Sequence, residues 1–309
     1  MTSTIAILSG GLSREREISL TSGKAVKKAL DNLPYNAIEI DVDRNIAEKL
    51  KKINPSLAFI ALHGPYGEDG CVQGLLEVLW IKYTRSGVMA YAIAMNKVMS
   101  KHIFHSLNID TPKGYVISRE NILKNNIKID YQYVLKQINE GSSIGVHVIF
   151  SYVDYLKLKG DYNNNIMKKM IVEEYIPGME LHTAVLLDEA IGTIEIRPKN
   201  KFYDYEAKYT NGFTEHIFPA EIPNDIYRMT LEYALKVHRF LGCKTISRSD
   251  FCYNPKNNTL KMLEINTHPG FTELSLVPKI AKLAKGMDFN ELVEAIVEDS
   301  LQQENVEIE

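Results

Sequence analysis

The chain has 309 residues, 45% of them hydrophobic and 24% charged, the balance of a soluble globular protein with room for two or three lobes. Its formal net charge of -3 gives no electrostatic case for nucleic acid or an anionic membrane surface as partner. No apolar run reaches about 18 residues, so no membrane-spanning helix is expected, and the cysteines Cys71, Cys243 and Cys252 form no CxxC pair, which points to a reduced cytoplasmic protein without a disulfide framework or a cysteine metal site.

In chain order, residues 5–8 read as a strand, 22–30 as a helix, 37–42 as a strand, 46–52 as a helix and 57–62 as a strand. This alternation predicts a parallel α/β lobe over residues 1–86. The first apolar run is short and follows no basic region, so it reads as that strand and not as a signal peptide. Gly10-Gly11 and His63-Gly64 each follow a strand, and ligands of such sheets gather at the carboxyl ends of strands; both loops are expected at one crevice. Residues 92–107 read as one helix carrying Lys97 and Lys101. Strands are predicted near 114–117, 133–136, 146–150 and 170–174, and the Lys- and Asn-rich stretch 156–169 reads as solvated surface. A long helix spans 226–241, and 302–309 read as a frayed acidic end. The lobes divide as 1–86, 87–174 and 175–309.

The most informative segment is the hairpin from Ser247 to Asn266. Its middle, Asn254-Pro255-Lys256-Asn257-Asn258, is dense in turn residues and its flanks alternate polar with apolar. A turn centred near Asn257 sets Asp250 opposite Glu264 and Arg248 opposite Asn266, all on one face. Opposed Cβ atoms lie roughly 4.5–5.5 Å apart, and two carboxylates there repel by about 4 kcal/mol at an effective dielectric of about 20. A cation between them relieves this, and Asp, Glu and Asn are hard oxygen ligands of the kind that suit Mg²⁺ carried in with phosphates. The plainer reading is a solvated face in which Arg248 neutralises Asp250.

Several loops could serve such a site. Glu140-Gly141-Ser142-Ser143-Ile144-Gly145 follows the strand carrying Lys136; small residues admit a phosphate to backbone N–H groups, although an ordinary turn has the same composition. Residues 63–70 and 9–17 are glycine loops carrying His63 and Glu15, and Asp69 alternatively caps the following helix. Residues 199–209 mix aromatic and charged side chains without period, as in a lid or a surface packing patch. Asn266-Thr267-His268-Pro269-Gly270-Phe271-Thr272 carries backbone N–H groups from the carboxylate hairpin into a glycine turn, a candidate oxyanion pocket.

Together these segments resemble the D-alanine–D-alanine ligases. The resemblance rests on Gly10 through Leu20, on Ala61-Leu62-His63-Gly64 through Gln73-Gly74, on Tyr205-Glu206-Ala207-Lys208-Tyr209, and on Glu264 through Thr272 with Ser275-Leu276-Val277-Pro278, in the family's order and over nearly the whole chain. It implies an α/β ATP-grasp fold in which the N-terminal lobe precedes two ATP-grasp lobes with ATP between them. It implies ligation of two D-alanines through an acylphosphate for peptidoglycan, in a cytoplasmic homodimer that uses ATP and two Mg²⁺ ions, for which Mn²⁺ can substitute. Residue by residue, it implies Lys97, Lys136 and Lys208 on ATP phosphates under the Ser142 loop, Glu180 on the ribose, and Glu173, Glu174, Tyr175 and Ile176 at the adenine. It implies Asp250, Glu264 and Asn266 on the metals, and Glu15 and His63 on the first D-alanine. Arg248 and Gly270 stabilise the tetrahedral intermediate, Ser275 and Leu276 hold the second carboxylate, and Tyr209 closes the lid with Ser142 and Glu15.

The chain departs from the family pattern at four places. Gln137 follows Lys136 where proline is usual, which suggests a looser strand exit. Arg85 stands for a glycine, which costs energy if its φ is positive. His268 and Phe271 replace variable or smaller residues beside the second subsite. Competing readings are a related carboxylate–amine ligase with another acceptor such as D-serine, a non-catalytic ATP-binding regulator, which the intact metal-ligand set disfavours, and a dinucleotide-binding protein, for which a full GxGxxG is lacking. A lid tyrosine goes with amide formation in this family and phenylalanine with the D-lactate ester. Tyr209→Phe is therefore expected to gain D-alanyl-D-lactate synthesis, scored as ester product from mixed D-alanine and D-lactate; no ester would count against the role given to Tyr209.

Overall fold

The computed structural model describes residues 3–141, 145–161, 168–198 and 214–303. Ser142, Lys208, Tyr209 and most of the acidic end lie outside the described residues. Strands β1 (Thr4–Ser9), β2 (Asn36–Asp41) and β3 (Leu57–Ile60) form a parallel sheet in the order β2-β1-β3. Its centre is a near-continuous apolar run because both faces are covered: Ile5 and Ile7 enter one hydrophobic core, Ala6 and Leu8 another. Helices α1 (Arg16–Leu30), α2 (Ile46–Ile53) and α3 (Cys71–Val78) accompany it. Helix α1 begins six residues before the expected start, at Arg16 rather than Ser22. Its buried face carries Ser19, Ser22 and Gly23, which hydrophobic periodicity does not register, and the Ser19 hydroxyl donates to the Ala61 carbonyl at 2.9 Å.

The expected helix over 92–107 is two helices, α4 (Val88–Met95) and α5 (Lys97–Ser106). Asn96 between them is extended, and its side-chain oxygen accepts from Val98 and Met99 N–H at 3.1 Å each, an N-cap that starts a new helix at Lys97. Next come β4 (Gly114–Ser118), α6 (Arg119–Leu123), β5 (Tyr133–Gln137), β6 (His147–Ile149), α7 (Tyr152–Asp161) and β7 (Lys169–Glu174), with an antiparallel sheet in the order β4-β7-β5-β6. Gln137 stays paired with Met170, so the strand is not loosened there as expected. The stretch read as solvated from residue 156 instead begins inside α7, which buries Tyr155 and Leu158 in the core of this sheet.

The C-terminal sheet has the order β10-β9-β8-β11-β12, all antiparallel, from β8 (Met179–Leu186), β9 (Glu189–Pro198), β10 (Thr214–Ile217), β11 (Ile246–Asn254) and β12 (Thr259–Asn266). Helices α8 (Asn224–Phe240), α9 (Leu276–Lys285) and α10 (Phe289–Gln302) complete it. The hydrophobic cores cross the boundaries read from chain order. Ile5, Ile7 and Phe59 of the first lobe share a core with Ile194, Ile246, Val277, Leu292 and Val293 of the third. Ala90 and Phe104 of α4 and α5 share one with Leu181, Val237, Phe251 and Met262. The β4-β7-β5-β6 sheet keeps a core of its own. Among the described residues no helix is long and apolar enough to cross a membrane.

Candidate active site

The hairpin β11–β12 has the expected pairing: Asp250 opposite Glu264 and Arg248 opposite Asn266. It depends on a register shift after Asp250, where Phe251 pairs with Met262 and Leu263 is the extra residue. Leu260 and Met262 lie in the same core as Ile265, three residues on from Met262. That break in strict alternation turns Glu264 and Asn266 towards the site while Ile265 stays inside.

Asp250 is only 4% exposed, and its neighbours explain how a carboxylate is stable there. Arg248 donates to both of its oxygens at 2.7 Å. His182, directly opposite on β8, bonds it through Nδ1 at 2.7 Å and reaches Glu180 through Nε2 at 3.0 Å. Burial pushes the Asp250 carboxyl up, but Arg248 and His182 together hold it well below the usual carboxylate range. Burial alone would lower His182; Asp250 and Glu180 outweigh it and raise the imidazole. The solvated face of the plainer reading is thus a buried ion-pair network in which Arg248 does neutralise Asp250. Glu264 faces a different cation, Lys97, at 3.6 Å.

The lysines form a second network. Glu173, 3% exposed, pairs with Lys136 at 2.8 Å and with Lys101, whose ammonium also donates to the Pro112 carbonyl at 2.6 Å. Burial works against the Glu173 carboxylate, yet the two ammonium groups hold its pKa down. Its side chain is therefore committed to the lysines and not turned to solvent. Glu174 accepts from the Lys113 N–H at 2.8 Å, and the Ile176 carbonyl accepts from the Cys252 thiol at 3.4 Å, so 173–176 tie β7 to the entry of β4 in its own sheet and to β11 of the C-terminal sheet.

The first lobe brings its two glycine loops together. Ser13 donates to the His63 carbonyl at 2.6 Å. Gly64 has φ +74, and a Cβ there would lie 2.7 Å from a Glu15 carboxylate oxygen, so only glycine admits buried Glu15. His63 is held by Ser22 at 3.0 Å and Glu68 at 3.1 Å, and its ring meets His268 edge-on at 5.3 Å. His268 is kept neutral by burial, with Arg85 and His63 adding to the effect. Burial likewise keeps Tyr91 protonated, and its hydroxyl shares a 2.7 Å hydrogen bond with His268 Nδ1. Asn266 accepts from the His268 N–H at 2.7 Å, and Ser275 accepts from the Thr272 N–H at 3.0 Å, fixing both ends of the Gly270 turn.

Two cavities meet at this turn. The larger, about 990 Å³, is bordered by His182, His216, Ser275, Leu276 and Lys279. The smaller, about 90 Å³, is bordered by His63, Glu68, Lys97, Glu264, Asn266 and His268. Arg248 and Gly270 border both. Lys136, Glu180 and Asp250 border neither, and Glu15 lies behind Gly64. Among the described residues no group of three or more His, Cys, Asp or Glu is placed to hold a metal ion.

Residues 104–298 match the family described as the D-ala D-ala ligase C-terminus, and 44–86 the D-ala D-ala ligase N-terminus. The D-alanine–D-alanine ligase of Wolbachia sp. subsp. Drosophila simulans (strain wRi) is 83% identical over 306 residues, covering 99% of this chain and 96% of its own length. This chain belongs to the D-alanine–D-alanine ligase family. A more distant member, the D-alanine–D-alanine ligase of Anaplasma marginale (strain Florida), is 48% identical over 96% of this chain and 89% of its own. Among solved structures, the Bacillus anthracis D-alanine–D-alanine ligase complexed with ATP superposes with a TM-score of 0.80 at 26% identity, covering 97% of this chain and 98% of that one. VanG D-Ala:D-Ser ligase from Enterococcus faecalis gives 0.78 at 26%, covering 97% and 100%. The mixed α/β architecture is that of the ATP-grasp ligases.

Within this ligase framework, sequence reasoning passed over His182, Glu68 and Tyr91 and gave Lys101 no role. His182 had a faint signal: it and Glu180 are alternate polar residues on a strand that otherwise reads apolar. Tyr91 and Glu68 had none, since their partners are remote in sequence or lie inside a loop. Arg85 has φ +75, the positive value at which a non-glycine residue is strained, by about 1–3 kcal/mol. Glu173→Gln should destabilise the fold by about 3–5 kcal/mol in neutral denaturant titrations, because Lys101 and Lys136 then lose their buried counter-charge. A depressed folded pKa contributes stability above the unfolded value near 4.5, lost as pH falls through the folded value. The variant should accordingly lose less stability than wild type on acidification below that value.

Proposed function

We propose that this chain joins two D-alanines into D-alanyl-D-alanine at the expense of ATP, releasing ADP and phosphate, and serves peptidoglycan precursor synthesis in the bacterial cytoplasm. The observation that carries this reading is that Arg248 and Gly270 border both cavities. A guanidinium and a glycine turn lie between a lysine- and carboxylate-lined compartment and a larger one bordered by Ser275 and Leu276. That is the arrangement needed where a phosphate-activated carboxyl must meet an amine.

In this reading the lobes 1–86, 87–174 and 175–309 close on ATP, with Lys97, Lys136 and Lys208 on its phosphates, Ser142 in the covering loop and Glu180 on the ribose. Glu174, Tyr175 and Ile176 flank the adenine, and Glu173 acts by holding Lys136 and Lys101 in place. Glu15 and His63 orient the first D-alanine. Its carboxylate oxygen attacks the γ-phosphorus, ADP leaves, and an acylphosphate forms. The second D-alanine, its carboxylate at Ser275 and Leu276, sheds a proton from its ammonium and attacks the acyl carbon; phosphate leaves with the C–O bond electrons. Arg248 and the Gly270 backbone take the charge that develops on the carbonyl oxygen. Tyr209 closes a lid that keeps water from the acylphosphate.

Asp250, Glu264 and Asn266 fit Mg²⁺ by donor chemistry, being hard oxygens on neighbouring strands. All three oxygen sets here face a cation or an N–H donor: Arg248 and His182, Lys97, and the His268 N–H. At Asp250 and Glu264 the partners include a positive side chain; at Asn266 the partner is a neutral backbone amide. Mg²⁺ bound there would screen phosphate charge. We propose a homodimer for the assembly.

A second reading, D-serine as acceptor, is favoured by the near-equal likeness to VanG. Purified protein with Mg·ATP is expected to release phosphate and D-alanyl-D-alanine in equal amounts with D-alanine, less mixed dipeptide with added D-serine, nothing with L-alanine, and nothing after chelation by EDTA. Mixed dipeptide in excess would favour the second reading. ATP binding without any D-amino-acid-dependent phosphate would overturn both.

A further inference from the structure

Among the described residues Arg85 is the largest fully buried side chain, with 0% exposure. Burial pushes its pKa down to about 10, which still leaves a cation at neutral pH. A terminal nitrogen donates to the Pro269 carbonyl at 3.4 Å and the guanidinium lies beside Tyr91, while among the described residues its Nε and other terminal nitrogen have no hydrogen-bond acceptor. A charged residue that is buried, thinly bonded and at φ +75 is unfavourable three times over. What it gains is a stack. The guanidinium carbon lies 4.8 Å from the Phe271 ring centroid and 6.0 Å from that of Phe59, a cation–π arrangement that a dry setting strengthens.

The backbone beneath this stack is anchored on both sides. Thr84 N–H donates to the Ala58 carbonyl and its hydroxyl accepts from the Ile60 N–H, each at 3.0 Å, extending the parallel sheet. Ser86 accepts from the Lys244 N–H at 3.2 Å, binding the other flank to the third lobe. Arg85 thus projects from a fixed edge onto Pro269 and Phe271, the two residues either side of Gly270. The turn's two ends are tied by Asn266 and Ser275, and a Cβ at Gly270 would come within 3.3 Å of Ser275 Oγ, so the backbone runs close to α9; Arg85 adds the contact to its middle from the first lobe.

We infer that Arg85 is a positioning residue that presses the Gly270 turn into register with Arg248 from the first lobe, through its stack on Phe271 and its bond to Pro269. Flat guanidinium faces and a directed N–H make this possible; an ammonium has neither plane nor fork. The kinetic part of the inference rests on the ligase reading above. The structural part does not.

Arg85→Gly is the first variant, because glycine keeps φ +75 without strain and removes only the side chain. In the unliganded protein, amide exchange over 268–272 should quicken by about tenfold or more while that of β1 and β3 stays unchanged. With ligase turnover as readout, kcat should fall about 10–100-fold at saturating D-alanine while KM for ATP stays within about twofold, the mark of a misplaced reacting centre. Arg85→Lys should not restore kcat, and Phe271→Leu combined with Arg85→Gly should cost little more than either alone. Unchanged exchange over 268–272 overturns the inference, as does an unchanged kcat with only a lowered Tm. Should Arg85→Gly not fold, Phe271→Leu is read in its place against the same two outcomes. If the wild-type protein itself fails to release phosphate, the proposed function falls, and the exchange comparison still decides this inference.

Discussion

A carboxylate buried in a β-sheet is stable only while cations face it, and the site is built around one such group, Asp250. Arg248 reaches it along its own strand and His182 from the neighbouring one. Both partners are thereby fixed in place, and Arg248 is turned to the point where two cavities meet. The bulge at Leu263 belongs to the same constraint. With no extra residue, the turn's pairing of Asn254 with Thr259 would continue to set Glu264 opposite Ser249 and its side chain towards the apolar core. The local irregularity separates the Glu264 and Asn266 side chains from the hydrophobic core on one short strand.

The same logic governs the central lobe. Two lysines buried side by side would repel one another and would each be costly to bury. Glu173 sits between Lys101 and Lys136 and makes their burial tolerable without a bound anion. The two ammonium groups are thereby desolvated and held in fixed positions by one carboxylate. The Asn96 cap that breaks the helix before Lys97 has an equivalent effect, since it points the first turn of α5 at the Glu140 carbonyl and at Glu264.

Cores shared across the chain's apparent boundaries explain why residues remote in sequence act together. The first and third lobes bury Phe59 and Val277 in one core, so the parallel sheet and the Gly270 turn face each other as parts of one body. The β4-β7-β5-β6 sheet has a separate core and meets the rest through Lys97 and Lys101 of α5 and through the segment after β7. A unit with its own core is the one that can shift as a body when a nucleotide binds between sheets.

The sequence by itself determined the alternating parallel lobe, the strands of the central sheet, the last hairpin of the third sheet with Asp250 paired to Glu264, and the family. These rest on local signals: apolar period, turn composition, and motifs whose order survives without coordinates. It misjudged the start of α1, where serines form the buried face, and it ran α4 into α5 because one asparagine cap is too small a signal against sixteen helical residues. Tertiary structure alone decided that Glu173 serves lysines, that His182 completes the Asp250 network, and that Arg85 lies on Phe271. Each is a contact between charges or rings brought together by separate elements, and no periodicity along the chain encodes a partner some seventy or nearly two hundred residues away.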